Sequence, residues 1–109
     1  MVATLAPEAY PESGREVLAA LGANTDPYAL YGYEAMSVVL SSIRRAGVAH
    51  ADAKGRRAVV DAFFRQKGRR SVLGTYAIDR YGDTTLPAFG GFKPAGGRLV
   101  FHRVITAAP

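Results

Sequence analysis

Residues 71–87, SVLGTYAIDRYGDTTLP, contain an extended segment, a turn and a second extended segment. Side chains alternate across a strand with a period of two, so Val72, Tyr76 and Ile78 share one face while Leu73, Thr75 and Ala77 take the other. Asp79, Gly82 and Asp83 supply turn chemistry: a carboxylate at the turn entry accepts backbone N–H bonds, and Gly82 takes a positive φ that Arg80 and Tyr81 resist. The run is a hairpin arm without a plausible catalytic group. It points to binding, not chemistry.

Working outward, the 109 residues fit one domain, and folding alone buries about 65% of the surface such a chain exposes unfolded. An apolar share of 49% with 21% charged residues is that of a globular soluble protein, and no run approaches the ~18 apolar residues of a membrane span. The absence of cysteine excludes disulfides, thiolate nucleophiles and cysteine metal sites, and fits either redox compartment. The opening MVATLAPEAY has no basic segment and no long apolar stretch, so it is not a secretory signal. The net charge of +5 is concentrated: from Arg44 to Arg70 lie nine basic residues against Asp52 and Asp61. Such a stripe attracts nucleic acid or anionic lipid, or simply keeps a helix face soluble; the absence of any nucleic-acid motif favours the second reading.

Upstream of the opening run the period is helical. A first helix runs from about Ser13 to Leu21, with Ser13 and Glu16 as a capping box, Val17, Leu18 and Leu21 as its apolar stripe and Gly22 as its stop. Asn24 to Pro27 breaks the chain, and Thr25 or Asp26 caps a second helix that begins near Pro27 or Leu30 and runs through Arg45. There Met36, Val39, Leu40 and Ile43 repeat at i, i+3, i+4 and i+7 and so share one apolar face, which Val38 and Ala35 widen. Arg44 and Arg45 complement the helix dipole and Gly47 ends the helix. A third helix spans about Asp52 to Lys67, with Val59, Val60, Phe63 and Phe64 as its apolar face and Gly55 as a weak point. Strands follow at Ser71 to Ile78, Phe89 to Lys93 and Leu99 to Ile105. The last two are joined through Pro94, Ala95, Gly96 and Gly97 as an antiparallel hairpin.

Few residues suggest catalysis. Asp79 and Asp83 lack the ligand series of a calcium loop, so they are turn residues. His50 and His102 are isolated, with no carboxylate at zinc-site spacing. Glu34, in GYEAM, is the only acid flanked by apolar residues, and it is expected to cap or pair on the helix surface. The pairs Gly90–Gly91 and Gly96–Gly97 open no helix, so they make no phosphate loop. Neither a cofactor nor a metal is implied. Tyrosine stands out: Tyr28, Tyr31 and Tyr33 crowd the start of the second helix, where they either stack over a small ligand or pack the helix onto a sheet.

Four stretches, AYPESGREVLAAL, DPYALYGYEAMSVVLSSIRRAG, RRSVLGTYAIDRYGDTTLP and GGRLVFHRVI, together resemble the closing portion of a type I periplasmic binding protein, the leucine/isoleucine/valine-binding kind that serves ABC importers. The second and third are the specific ones. The resemblance implies an α/β, partial periplasmic-binding-protein-like fold, about three helices followed by short strands and a C-terminal hairpin. Residues 1–109 would be one segment of a two-lobed extracellular receptor whose lobes close on a ligand, with the N-terminal lobe preceding Met1. It also implies an amino-acid-like ligand met by Tyr28, Leu30 and Tyr31, an ABC permease as partner, an extracytoplasmic location for the parent and no enzymatic activity. A segment lacking its partner strands is expected to complete itself as a homo-oligomer, by self-association or strand swapping. The alternative is an autonomous small basic protein that binds nucleic acid or another acidic partner through Arg56, Arg57, Arg65, Arg69 and Arg70.

Overall fold

Aspartate and glycine set the helix ends in the structure, a computed structural model that describes residues 1–22, 25–47 and 52–107. Helix α1 is Glu12–Leu21, α2 is Ala29–Ala46 and α3 is Ala53–Phe64. Asp26 Oδ1 accepts the Tyr28 N–H at 2.8 Å and so organises the entry to α2, while Asp52 Oδ1 accepts the Gly55 N–H at 2.6 Å and caps α3. Gly22 and Gly47 stop α1 and α2 at φ of 105° and 62°, conformations that a Cβ resists. Asn24 and His50 lie outside the described residues.

Two helix boundaries differ from the sequence expectation. The Ser13–Glu16 capping box does not form, because α1 starts at Glu12 behind Pro11 and Ser13 is already inside the helix. The preceding 3-10 turn Pro7–Ala9 ends at Tyr10, which is 3% exposed, so burial of that ring fixes where the chain turns into α1. Helix α3 ends at Phe64, short of Lys67. The Gln66 carbonyl leaves the helical ladder to accept the Ile78 N–H at 3.0 Å.

The opening run is also more finely cut than one strand from Ser71 to Ile78. Strands β2 (Arg69–Ser71) and β3 (Gly74–Tyr76) pair antiparallel, Arg69 opposite Tyr76 and Ser71 opposite Gly74, with the reversal at Val72 and Leu73. Ser71 Oγ donates to the Gly74 carbonyl at 2.7 Å and accepts the Leu73 N–H at 3.1 Å, and Gly74 sits at φ 124°. Val72, a β-former, and the apolar Leu73 therefore occupy a turn held by the residues flanking them. The second turn is as expected: Asp79 Oδ1 accepts the N–H groups of Tyr81 and Asp83, Gly82 has φ 90°, and Ile78 bridges Thr84.

Strands β4 (Ala88–Ala95) and β5 (Arg98–Thr106) form the C-terminal hairpin, closed by Gly96 and Gly97 alone at φ of 57° and 77°. Two consecutive positive φ values make the two-residue turn whose twist suits a hairpin, which leaves Pro94 and Ala95 in the strand. Strand β1 (Val2–Ala3) lines up on the other side of β4, giving the order β1-β4-β5. The buried centre is Leu5, Tyr10, Leu30 and Val72, with Val17, Leu18, Tyr31 and Leu73 packed around it.

The largest departure concerns which faces are buried. Met36, Val39, Leu40 and Ile43 are 58%, 44%, 53% and 42% exposed, whereas Leu30, Glu34, Val38 and Ser42 form the buried line of α2. On α3 the expected face is split: Val59 and Phe63 are half-buried and Val60 and Phe64 exposed, while the fully buried residues are Gly55 and Ala62. Helices α2 and α3 pack against each other, and among the described residues the α2 stripe stays largely exposed. The molecule is accordingly extended, 55 × 33 × 21 Å, with a radius of gyration of 16.5 Å, against about 13 Å for a compact domain of this length.

Gly14 and Gly32 separate packing from helix propensity. A Cβ on Gly14 would lie 2.2 Å from the Val72 carbonyl oxygen, whereas one on Gly32 meets nothing within 4 Å. Gly32→Ala is expected to stabilise by up to about 1 kcal/mol. Gly14→Ala is expected to lower the urea midpoint, because α1 must move off the β2–β3 turn. Equal effects of the two substitutions would contradict this packing.

Candidate functional site

Helix α2 contributes to two groupings of polar and aromatic side chains, one around Glu34 and one around Tyr31. The first centres on Glu34, which is 4% exposed on the buried line of α2. Its Oε1 accepts the Arg69 Nε–H at 2.6 Å and the Tyr76 hydroxyl at 2.6 Å, and Arg69 also donates from Nη2 to Ser37 Oγ at 2.9 Å. The expectation of a surface glutamate is thus corrected: Glu34 does pair, but in the interior, with partners 35 and 42 residues away. Burial raises the Tyr76 pKa to about 12, and its hydrogen bond to Glu34 adds to the shift. Burial pulls the Arg69 guanidinium down, but its hydrogen bond to Glu34 and that charge more than offset the effect, so its pKa is raised. The sequence signal was the apolar setting of GYEAM; which cation would meet it was not visible.

The second grouping is aromatic. The Tyr31 ring stands edge-on to Tyr10 at 6.5 Å and 79°, lies 6.1 Å from Tyr28, and its hydroxyl accepts from Tyr10 at 3.4 Å. Burial, then the Tyr31 hydroxyl, raises the Tyr10 pKa. Tyr10 and Tyr31 line a cavity of about 280 Å³ with Leu5, Leu73, Leu86 and Phe89, and with Asp83 and Thr84 from the second turn as its polar members. Tyr28 is 66% exposed beside it, and Tyr33, 50% exposed, does not line it. Leu30 has no exposed surface and packs in the core beneath Tyr31.

The basic stripe is divided by the fold. Arg69 is drawn into the interior by Glu34, and Arg57 sits 3.3 Å from Asp61 on the exposed face of α3, a pair worth little in water. Among the described residues no three His, Asp or Glu side chains converge as a metal site, and no helix is long and apolar enough to cross a membrane.

Against known proteins, no family model matches the chain and no curated protein matches it. Among solved structures it is similar to a leucine-binding protein, LivK, from Thermotoga maritima, with a TM-score of 0.76 and 20% identity over 96% of this chain. The chain spans 30% of the length of that protein. The architecture is therefore α/β, a partial periplasmic-binding-protein-like fold.

Two outcomes follow from the buried network. Glu34→Ala leaves a largely enclosed guanidinium without its carboxylate and should cost about 3–5 kcal/mol in urea unfolding; a loss below about 1 kcal/mol, the value of an exposed pair, would show the pair to be solvated. Tyr76 keeps its proton in the folded chain after the unfolded chain has lost it, so its contribution is complete below pH 10 and disappears as pH rises to about 12. Stability should fall there by up to about 1.4 kcal/mol per pH unit for this group, and Tyr76→Phe should shallow the slope. A pH-independent unfolding midpoint across that window would contradict the assignment.

Proposed function

We propose that the chain is a solute-recognition segment of a two-lobed binding protein that delivers an amino-acid-like ligand to an ABC-type permease outside the cytoplasm, with no catalytic step of its own. The observation that carries this reading is the structural likeness to the leucine-binding protein over 96% of the chain. The aromatic cavity supports it. Tyr31 and Tyr10 offer an apolar wall with hydroxyls at its edge, Tyr28 adds an exposed ring, and Leu30 holds Tyr31 from the core. Aromatic walls with a few polar groups are the usual lining of small-molecule clefts.

In this reading Tyr28 and Tyr31 form one side of a cleft, with Leu30 behind Tyr31 in the core, and the other side comes from the remainder of a longer polypeptide. Closure of the two sides on the ligand is the state the permease docks with. The 109-residue chain alone should then bind leucine weakly or not at all.

Two measurements test it. An antibody raised against residues 71–87 should detect, in source cells, a polypeptide roughly three times the length of this chain; a band at 11.6 kDa alone rejects the longer parent. In the longer protein, Tyr31→Ala should weaken leucine binding by about tenfold, roughly 1.4 kcal/mol, in calorimetry. Unchanged affinity would remove the tyrosines from the site. Leu30→Asp is the poorer probe, since a carboxylate at a fully buried position disturbs the fold itself.

A further inference from the structure

Helix α2 presents its most apolar side outward. On a wheel of 3.6 residues per turn, the centre of the Met36, Val39, Leu40 and Ile43 stripe lies about 170° from the centre of the buried line. Ala29, Gly32 and Tyr33 extend the stripe toward the start of the helix, so this face carries no charge along its length. The chain as a whole exposes 7709 Å², where a self-sufficient monomer of this mass exposes about 5,800 Å². The excess is about 1,900 Å², and a stable dimer needs about 800 Å² from each partner.

We infer that in the 109-residue chain a second copy covers this face, the two α2 helices packing antiparallel about a two-fold axis that passes near Val39. This does not rest on the solute-binding reading. The midpoint of Tyr33 to Ile43 lies level with residue 38, so antiparallel packing sets Met36 against the partner's Leu40 and Tyr33 against the partner's Ile43. The stripe is its own complement, as a two-fold interface requires. A parallel arrangement would bring Arg44 and Arg45 of both copies together, whereas the antiparallel one holds them at opposite ends. An uncharged face offers nothing to a phosphate backbone, so nucleic acid is not its partner.

The β5 edge is a poorer meeting point for two copies. The register of β4 against β5 shifts between Gly91 and Phe92, and such an irregularity interrupts the regular ladder that edge-to-edge pairing needs.

Sedimentation velocity of the wild-type chain at tens of micromolar should show a dimer. Leu40→Arg should raise its dissociation constant at least tenfold with unchanged far-UV circular dichroism, while Val100→Arg on the exposed hairpin should not. Because the chain has no native cysteine, Val39→Cys provides an independent reading: oxidation should give a disulfide-linked dimer, and Val100→Cys should not. A wild-type monomer, a dimer unaffected by Leu40→Arg, or cross-linking at Val100→Cys in preference to Val39→Cys would each overturn the proposal. So would flotation of the wild-type chain with anionic vesicles in place of dimerisation.

Discussion

The tie between Glu34 and Arg69, with the Tyr76 hydroxyl on the same carboxylate oxygen, joins the helical half of the chain to its β half. Glu34 belongs to α2, Arg69 to β2 and Tyr76 to β3, so one carboxylate fixes how a helix sits against a hairpin of six strand residues. Two charges taken from water at 5% and 13% side-chain exposure need good geometry to be tolerated, and here each is met by more than one hydrogen bond. The turn at Val72 and Leu73, held close to the backbone of α1 at Gly14, follows from that placement. The core around Leu5, Tyr10, Leu30 and Val72 closes over the same junction.

That dependence explains the odd distribution of apolar surface. Helix α2 must turn Glu34 toward Arg69, and its period then places Leu30, Val38 and Ser42 inward with it. Ser42 donates to the Val38 carbonyl, so even its hydroxyl is satisfied within the helix. The stripe with more apolar residues is left on the outside. A helix with an apolar outer face is incomplete by itself.

Local structure was largely legible in the sequence, and the assignment of faces was not. Asp26, Asp52, Gly22 and Gly47 marked helix ends because their effect is local hydrogen bonding and backbone freedom. Gly96 and Gly97 marked the hairpin for the same reason, although Pro94 and Ala95 joined the strand. Periodicity found the apolar stripe of α2 correctly but could not say whether this chain holds the surface to cover it. The Ser71 to Gly74 turn was hidden because Val72 favours strands and Leu73 is apolar, and the hydrogen bonds that enforce the reversal come from the flanking Ser71. In the candidate site, Tyr28 and Tyr31 were visible as a cluster. Tyr10, Arg69 and Tyr76 were not, since each acquires its partner from a distant part of the chain.

A double-mutant cycle on Glu34 and Arg69 tests this account most directly. Urea unfolding of Glu34→Ala, Arg69→Ala and the double variant yields the coupling between the two side chains free of their separate effects. If the tie organises the junction, the double variant loses much less than the sum of the single losses, with a coupling above about 1.5 kcal/mol. Additive losses within about 0.5 kcal/mol would contradict it. The two side chains would then act independently, and the junction of helices and hairpin would rest on the apolar core alone.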